Sequence, residues 1–146
     1  RMMTSGNVIS VSKALSLGGF DESLFIDEVD HDICYKAIKA GFKLFKTPDI
    51  LIAHQLGNPI AKRFLWRTIH AMNHSSVRKY YIARNRLFVW RKFHTMNEMF
   101  FFKNYVYASA MDLFKILYME DDKIQKTLAT LKGFFDALYG NMGKRR

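Results

Sequence analysis

A glycine pair, Gly18-Gly19, is followed by Phe20-Asp21-Glu22-Ser23, then by an apolar Leu24-Phe25-Ile26 run, and then by Asp27-Glu28-Val29-Asp30-His31-Asp32. Adjacent glycines take positive φ without the clash a Cβ brings, so they end a preceding element and start a tight bend. After the bend four carboxylates, Asp27, Glu28, Asp30 and Asp32, fall within six residues. Like charges that close disfavour one another's ionisation unless a cation, a metal or a proton-transfer task uses them. A chain of formal net charge +10 has no solubility need for such a cluster. Backbone and chemistry are therefore constrained together in this stretch.

The pattern around the bend predicts short elements. Residues 7–12, Asn-Val-Ile-Ser-Val-Ser, are β-branched and bounded by Gly6, which predicts a strand. Residues 12–17 read as a short helix capped by Ser12 and ended by Gly18. From Val29 the apolar positions Val29, Ile33, Ala37 and Ala40 recur at close to helical spacing, and Gly41 stops them. Asp30 and Asp32 then open a helix, where acids also complement the helix dipole. Residues 42–46 alternate like a strand, Pro48-Asp49 turns the chain, residues 50–54 read as a strand ending at His54, and Gly57-Asn58-Pro59 breaks it.

Charge divides the chain at about residue 60. Residues 1–60 carry a net charge of −1 and residues 61–146 a net of +11. The basic part calls for an anionic partner: nucleotide phosphates, nucleic acid or lipid headgroups. It reads as almost wholly helical, with helices over residues 75–93, 97–119 and 121–139. Lys103, Asp112 and Lys115 interrupt the aromatic-rich second helix, so it is not a membrane span. Two readings of that helix stay open: burial in a helical subdomain or dimer contact, or attachment in a membrane interface beside anionic lipid. The lone cysteine, Cys34, excludes an internal disulfide framework and fits a reducing compartment. The opening residues carry no signal-peptide core, and the chain reads as the later part of a longer protein.

Three places carry chemistry. The first is the acidic cluster. The second is His54, which reads either as a packed histidine or as a group touching a divalent metal or a phosphate. The third is Arg78-Lys79-Tyr80-Tyr81-Ile82-Ala83-Arg84-Asn85-Arg86. Its arginine forks and tyrosine hydroxyls suit phosphate oxygens, and a solvated basic helix packed through its tyrosines is the plainer reading. No helix-turn-helix or RNA-recognition signature is present, so nucleic acid is set aside.

Read in order, Gly18-Gly19-Phe20-Asp21-Glu22, Phe25, Val29-Asp30-His31-Asp32-Ile33-Cys34, Lys36, Gly41-Phe42, Pro48-Asp49-Ile50 and His54 form a succession. Arg78, Tyr80-Tyr81, Arg84-Asn85 and the tail from Gly133 to Gly143 continue it. The succession resembles the second half of family 2 glycosyltransferases, within that family the rhamnosyltransferases of bacterial surface-polysaccharide synthesis. Lys36 stands where that family usually has arginine, and His31 where an apolar residue is commoner.

The resemblance implies an α/β fold: the latter half of a GT-A, Rossmann-like domain over residues 1–60, followed by a basic, mainly helical extension over residues 61–146. It implies inverting transfer of a sugar, rhamnose from dTDP-rhamnose, to the hydroxyl of a saccharide or lipid-linked saccharide acceptor. Asp30 matches the catalytic base, Asp32 and Asn7 the acceptor side, and Arg78, Tyr81, Arg84 and Asn85 the donor diphosphate. His54 matches the histidine near a divalent cation, Mg2+ or Mn2+. Peripheral contact with the inner face of a cell membrane, a cytoplasmic location and a homo-oligomer go with this reading. A carboxylate to deprotonate the acceptor and cations to hold the leaving diphosphate form a coherent division of labour. The rival reading is a non-catalytic basic helical module for membrane attachment or subunit assembly. Such a module would depend on the +11 second part rather than on Asp30.

Overall fold

The computed structural model of the chain describes residues 6–47, 49 and 59–145. They belong to two units, residues 1–54 with 142–146 and residues 55–141. The division falls a few residues before the charge step, and the last residues belong with the first unit.

In the first unit, α1 spans Val11–Ser16 and α2 spans Val29–Lys39, with a 3-10 turn at Glu22–Leu24 between them. Both helices end in the same way. Gly18 and Gly41 sit at φ 81° and 82°. Beside them, the Gly19 N–H donates to the Ala14 carbonyl and the Phe42 N–H to the Ala37 carbonyl, at 2.8 and 2.9 Å. This six-residue closure satisfies the last carbonyls and requires a left-handed residue, which glycine supplies without strain. The small core holds Leu24, Ile33, Tyr35 and Ala37. Gly143 returns to this unit and donates its N–H to the Ser23 carbonyl at 2.7 Å.

Two strand expectations are corrected here. Residues 7–10 form no strand, and the helix begins at Val11. The Ser10 carbonyl accepts the Ala14 N–H at 2.9 Å, so the helix takes the backbone that a strand would have offered to a neighbour. Residues 42–47 are irregular. Alternation alone does not make a strand without a partner ladder, and Phe45, 78% exposed, faces no core. Pro48 and the expected strand 50–54 lie outside the described residues.

The second unit departs from the all-helical expectation at its start. Strands β1 (Ile60–Phe64) and β2 (Arg67–Ala71) form an antiparallel hairpin in which Phe64 faces Arg67. No Asn-Gly or Asp-Gly pair announces it. Leu65 takes the turn's positive φ, 52°, a position that glycine usually fills. Helix α3 (Ser76–Phe93) follows over the expected residues, and the Ser75 side chain caps it by accepting the Arg78 N–H. The expected helix 97–119 is present in three pieces, α4 (Glu98–Phe101), a π-helical stretch (Phe102–Tyr107) and α5 (Ala108–Met119). Asn97 caps it, accepting the Phe100 N–H at 3.0 Å. Helix α6 covers Lys123–Tyr139.

Asn73 meets Lys126, the Tyr80 carbonyl faces Gly133, and Arg91 meets the Ala137 carbonyl. The partner numbers rise together, so α3 and α6 run in the same direction, and the segment 98–119 is the return stroke. Val89, Phe93, Phe101, Tyr105, Ile116 and Ala137 fill the space between them. The hairpin is fixed to α5 by Phe64, whose ring stands edge-on to Phe114 and Tyr118 at 5.6 and 5.2 Å. No described helix is long and apolar enough to cross a membrane.

One polar cluster lies inside this unit. The Glu120 carboxylate, 2% exposed as a residue, accepts from Lys79 Nζ at 2.6 Å and from Lys126 Nζ at 3.2 Å. Lys126 also donates to Asn73 Oδ1 at 2.5 Å. Nearby, the Tyr80 hydroxyl donates to Asp136 at 2.8 Å. Burial, and then that bond, hold the Tyr80 phenol above its ordinary pKa. Because the folded value is the higher one, this contribution is complete below about pH 10 and is lost as pH rises through the raised value. Denaturant melts taken across the alkaline range should show stability falling there, and Tyr80→Phe should flatten that limb.

Candidate active site

The segment between the glycine bend and α2 is held in an unusual backbone. Phe25 sits at φ 62°, ψ −59°, and the Ile26 N–H donates to the Leu24 carbonyl at 2.7 Å. That is a three-residue γ-turn of the strained sense. Asp27 and Glu28 follow at φ 61° and 65°. Non-glycine residues in such regions cost of order 1–3 kcal/mol each, so the surroundings must impose them. Leu24, fully buried, pins one end of the segment. The Lys144 ammonium lies 5.5 Å from the centre of the Phe25 ring. Strain gathered at the entrance of one helix points to a position that must be set accurately.

The carboxylates that looked alike in sequence have separate partners. Asp21 caps the 3-10 turn, accepting from the Ser23 N–H at 3.2 Å and the Ser23 hydroxyl at 2.5 Å. Glu28, buried, shares a 2.7 Å hydrogen bond with His31 Nδ1. Asp32 is wholly buried and paired with Lys36 at 2.9 Å. Lys36 in turn donates to the Gly19 carbonyl at 3.1 Å, tying α2 to the glycine bend. A single ammonium performs both tasks, which accounts for a lysine serving where a fork is not needed.

Asp30 differs. It is half-buried in the first turn of α2, and its Oδ1 accepts the His31 N–H at 3.0 Å. Among the described residues no cation pairs with it. Its charge is felt one turn on: burial, and then the Asp30 carboxylate, push the Cys34 thiol up. Cys34 is thus a buried thiol whose thiolate form is disfavoured. A carboxylate at a helix N-terminus, half-open and with no cation paired to it among the described residues, is chemically able to take a proton from a hydroxyl brought against it.

Asn7 is half-buried in the irregular residues before α1. His54 lies outside the described residues. Among the described residues no group of three or more His, Cys, Asp and Glu side chains could hold a metal ion, so they do not themselves form a ligand set for the implied divalent cation. On α3, Arg78 is exposed, whereas Tyr81, Arg84 and Asn85 are buried at 2%, 1% and 0% exposure. The Arg84 Nε donates to Asn85 Oδ1 at 2.9 Å, and its guanidinium lies 4.8 and 5.6 Å from the Tyr81 and Tyr80 ring centres. The spacing of three and four residues that suggested one phosphate-facing stripe instead builds an internal stack. Only Arg78 of the four offers its side chain to solvent.

No family model and no solved structure matches the chain. A curated protein, the dTDP-rhamnosyl transferase RfbF of Shigella flexneri, is 35% identical to it over 83 residues, which are 57% of this chain and 27% of that protein. The chain therefore spans well under half of the relative it matches. The match supports a glycosyltransferase-like relationship.

Proposed function

We propose that this chain is the acceptor-side part of an inverting glycosyltransferase that moves a deoxyhexose, rhamnose, from a dTDP-linked donor to a saccharide hydroxyl. Its first unit would then be the later part of a GT-A-like catalytic domain. The observation that carries the reading is the separation of the two acids opening α2. Asp32 is engaged by Lys36, while Asp30 is half-open and has no cation among the described residues. The similarity to a dTDP-rhamnosyl transferase supports the donor class.

In this reading Asp30 takes the acceptor proton as the new glycosidic bond forms and the diphosphate leaves. Asp32 and Lys36 act as positioning residues that fix α2 against the glycine bend. Arg78 contributes a cation toward the departing diphosphate, and the Tyr81-Arg84-Asn85 stack stiffens the helix that presents it. No step is assigned to a metal.

In the full-length protein, Asp30→Asn should lower sugar transfer by about 10²–10⁴-fold, the usual worth of a general base. Donor binding, read by calorimetry with dTDP-rhamnose, should stay within about twofold. Transfer at the wild-type rate in that variant overturns the assignment.

A further inference from the structure

We propose that the tip of the β1–β2 hairpin docks on an anionic lipid surface. The proposal goes beyond the glycosyltransferase reading and does not depend on it. Leu65 and Trp66 form the turn and are 65% and 78% exposed. They are not the loose end of a disordered loop. Phe64, directly behind them, packs on Phe114 and Tyr118, and the Tyr118 hydroxyl donates to the Arg63 carbonyl at 2.7 Å. The base of the turn is therefore anchored while two large apolar side chains face solvent.

The turn keeps a leucine at φ 52°, where glycine would sit without strain. Arg63 Nε braces it, donating to the Leu65 carbonyl at 3.3 Å. Glycine here would relieve the strain and remove the apolar side chain together. Charge adds to it. Lys62, Arg63 and Arg67 flank the tip, and all three are exposed. Between Asp49 and Glu98 the sequence holds no carboxylate at all. A tryptophan and a leucine ringed by cations match the boundary of an anionic bilayer, where an indole sits at headgroup depth and lysine and arginine meet lipid phosphate. A single-stranded nucleic acid would use Trp66 for stacking but gains nothing from Leu65 beside it, so lipid is the better match.

The test uses the whole chain in the Trp90→Phe background, which leaves Trp66 as the only tryptophan. It is mixed with vesicles of phosphatidylcholine alone, or of phosphatidylcholine with phosphatidylglycerol, and followed by sedimentation and tryptophan emission. Binding to the anionic vesicles only, with a blue shift of Trp66, is the expected result. The double variant Arg63→Gln/Arg67→Gln should bind about 25-fold more weakly, about fivefold for each cation removed. Leu65→Ser/Trp66→Ser should bind about tenfold more weakly. Leu65→Gly should melt no lower than wild type yet bind more weakly, which separates docking from folding. Equal binding to neutral vesicles, unshifted emission, tip variants that bind like wild type, or capture of single-stranded RNA without vesicle binding would each overturn the proposal.

Discussion

Glu120→Ala should lower the melting temperature of the second unit by about 12–40 °C, followed by far-UV circular dichroism. The carboxylate sits between two ammonium groups that are themselves almost out of solvent, Lys79 and Lys126 at 5% and 3% exposure. Removing it leaves two buried cations facing each other with only the Asn73 amide oxygen to receive one of them. Breaking a buried ion pair from one side typically costs about 3–5 kcal/mol, because the partner's desolvation is no longer offset. For a unit of this size each kcal/mol moves the transition by about 4–8 °C. Removing all three charges is the informative control. Lys79→Met/Glu120→Leu/Lys126→Met should recover most of the loss, since apolar replacement of a whole buried triad is often neutral. A shift of a few degrees in the single variant would show that water reaches the cluster.

Gly133→Ala should be the most damaging single-methyl addition on α6. A Cβ at this position falls on the Tyr80 carbonyl oxygen, 3.1 Å from its carbon and 3.2 Å from the Arg84 nitrogen. The obstacle is backbone of α3, which cannot rotate aside as a flexible side chain could. Alanine brings about 1 kcal/mol of helix propensity. Forcing two packed helices apart costs about 1–3 kcal/mol, and more where the contact is backbone on backbone. The clash wins, and the alanine variant should melt several degrees lower, with Gly133→Val lower still. Lys132→Ala, one residue away and exposed, should leave the transition in place. An unchanged melt for the alanine variant would mean that α3 and α6 are not in direct backbone contact.

Sequence signals with a local cause were readable. Ser75, Asn97 and Gly41 mark helix ends because capping is decided by residues a few positions apart, and all three do so in the structure. The helix at Val29–Lys39 was legible for the same reason. Features with distant causes were not. The hairpin hides because its turn is Leu65-Trp66, and its anchoring partner, Tyr118, lies far along the chain. Glu120 carries no signal in the sequence, since nothing in its neighbours reveals that Lys79 will be brought to it. The acidic cluster was recognisable as a place of constraint. The resemblance already set Asp30 apart from Asp32; that Asp32 is the one Lys36 engages required the structure. On α3 the pattern of arginines and tyrosines was visible, but a helical stripe does not say which side faces inward, and three of its four residues are interior.

The π-helical stretch at Phe102–Tyr107 bears on how this chain can change in length. Such a stretch carries a residue more than plain α-helix would need over the same rise. Deleting one residue there would let 98–119 close into a regular helix with the residues beyond it still facing as they do, whereas deleting one from the start of α5, at 108–110, would turn everything beyond it by about 100° about the helix axis. Phe114 and Tyr118 would swing off the hairpin, and Asp112 would lose Arg86. Point substitutions at the exposed Lys103 or Val106 should be absorbed easily, as should a one-codon deletion in the same few positions, yet the same deletion one turn further on would dismantle the hairpin's mooring. The stretch is therefore tolerant of a change in count that α5, directly after it, is not.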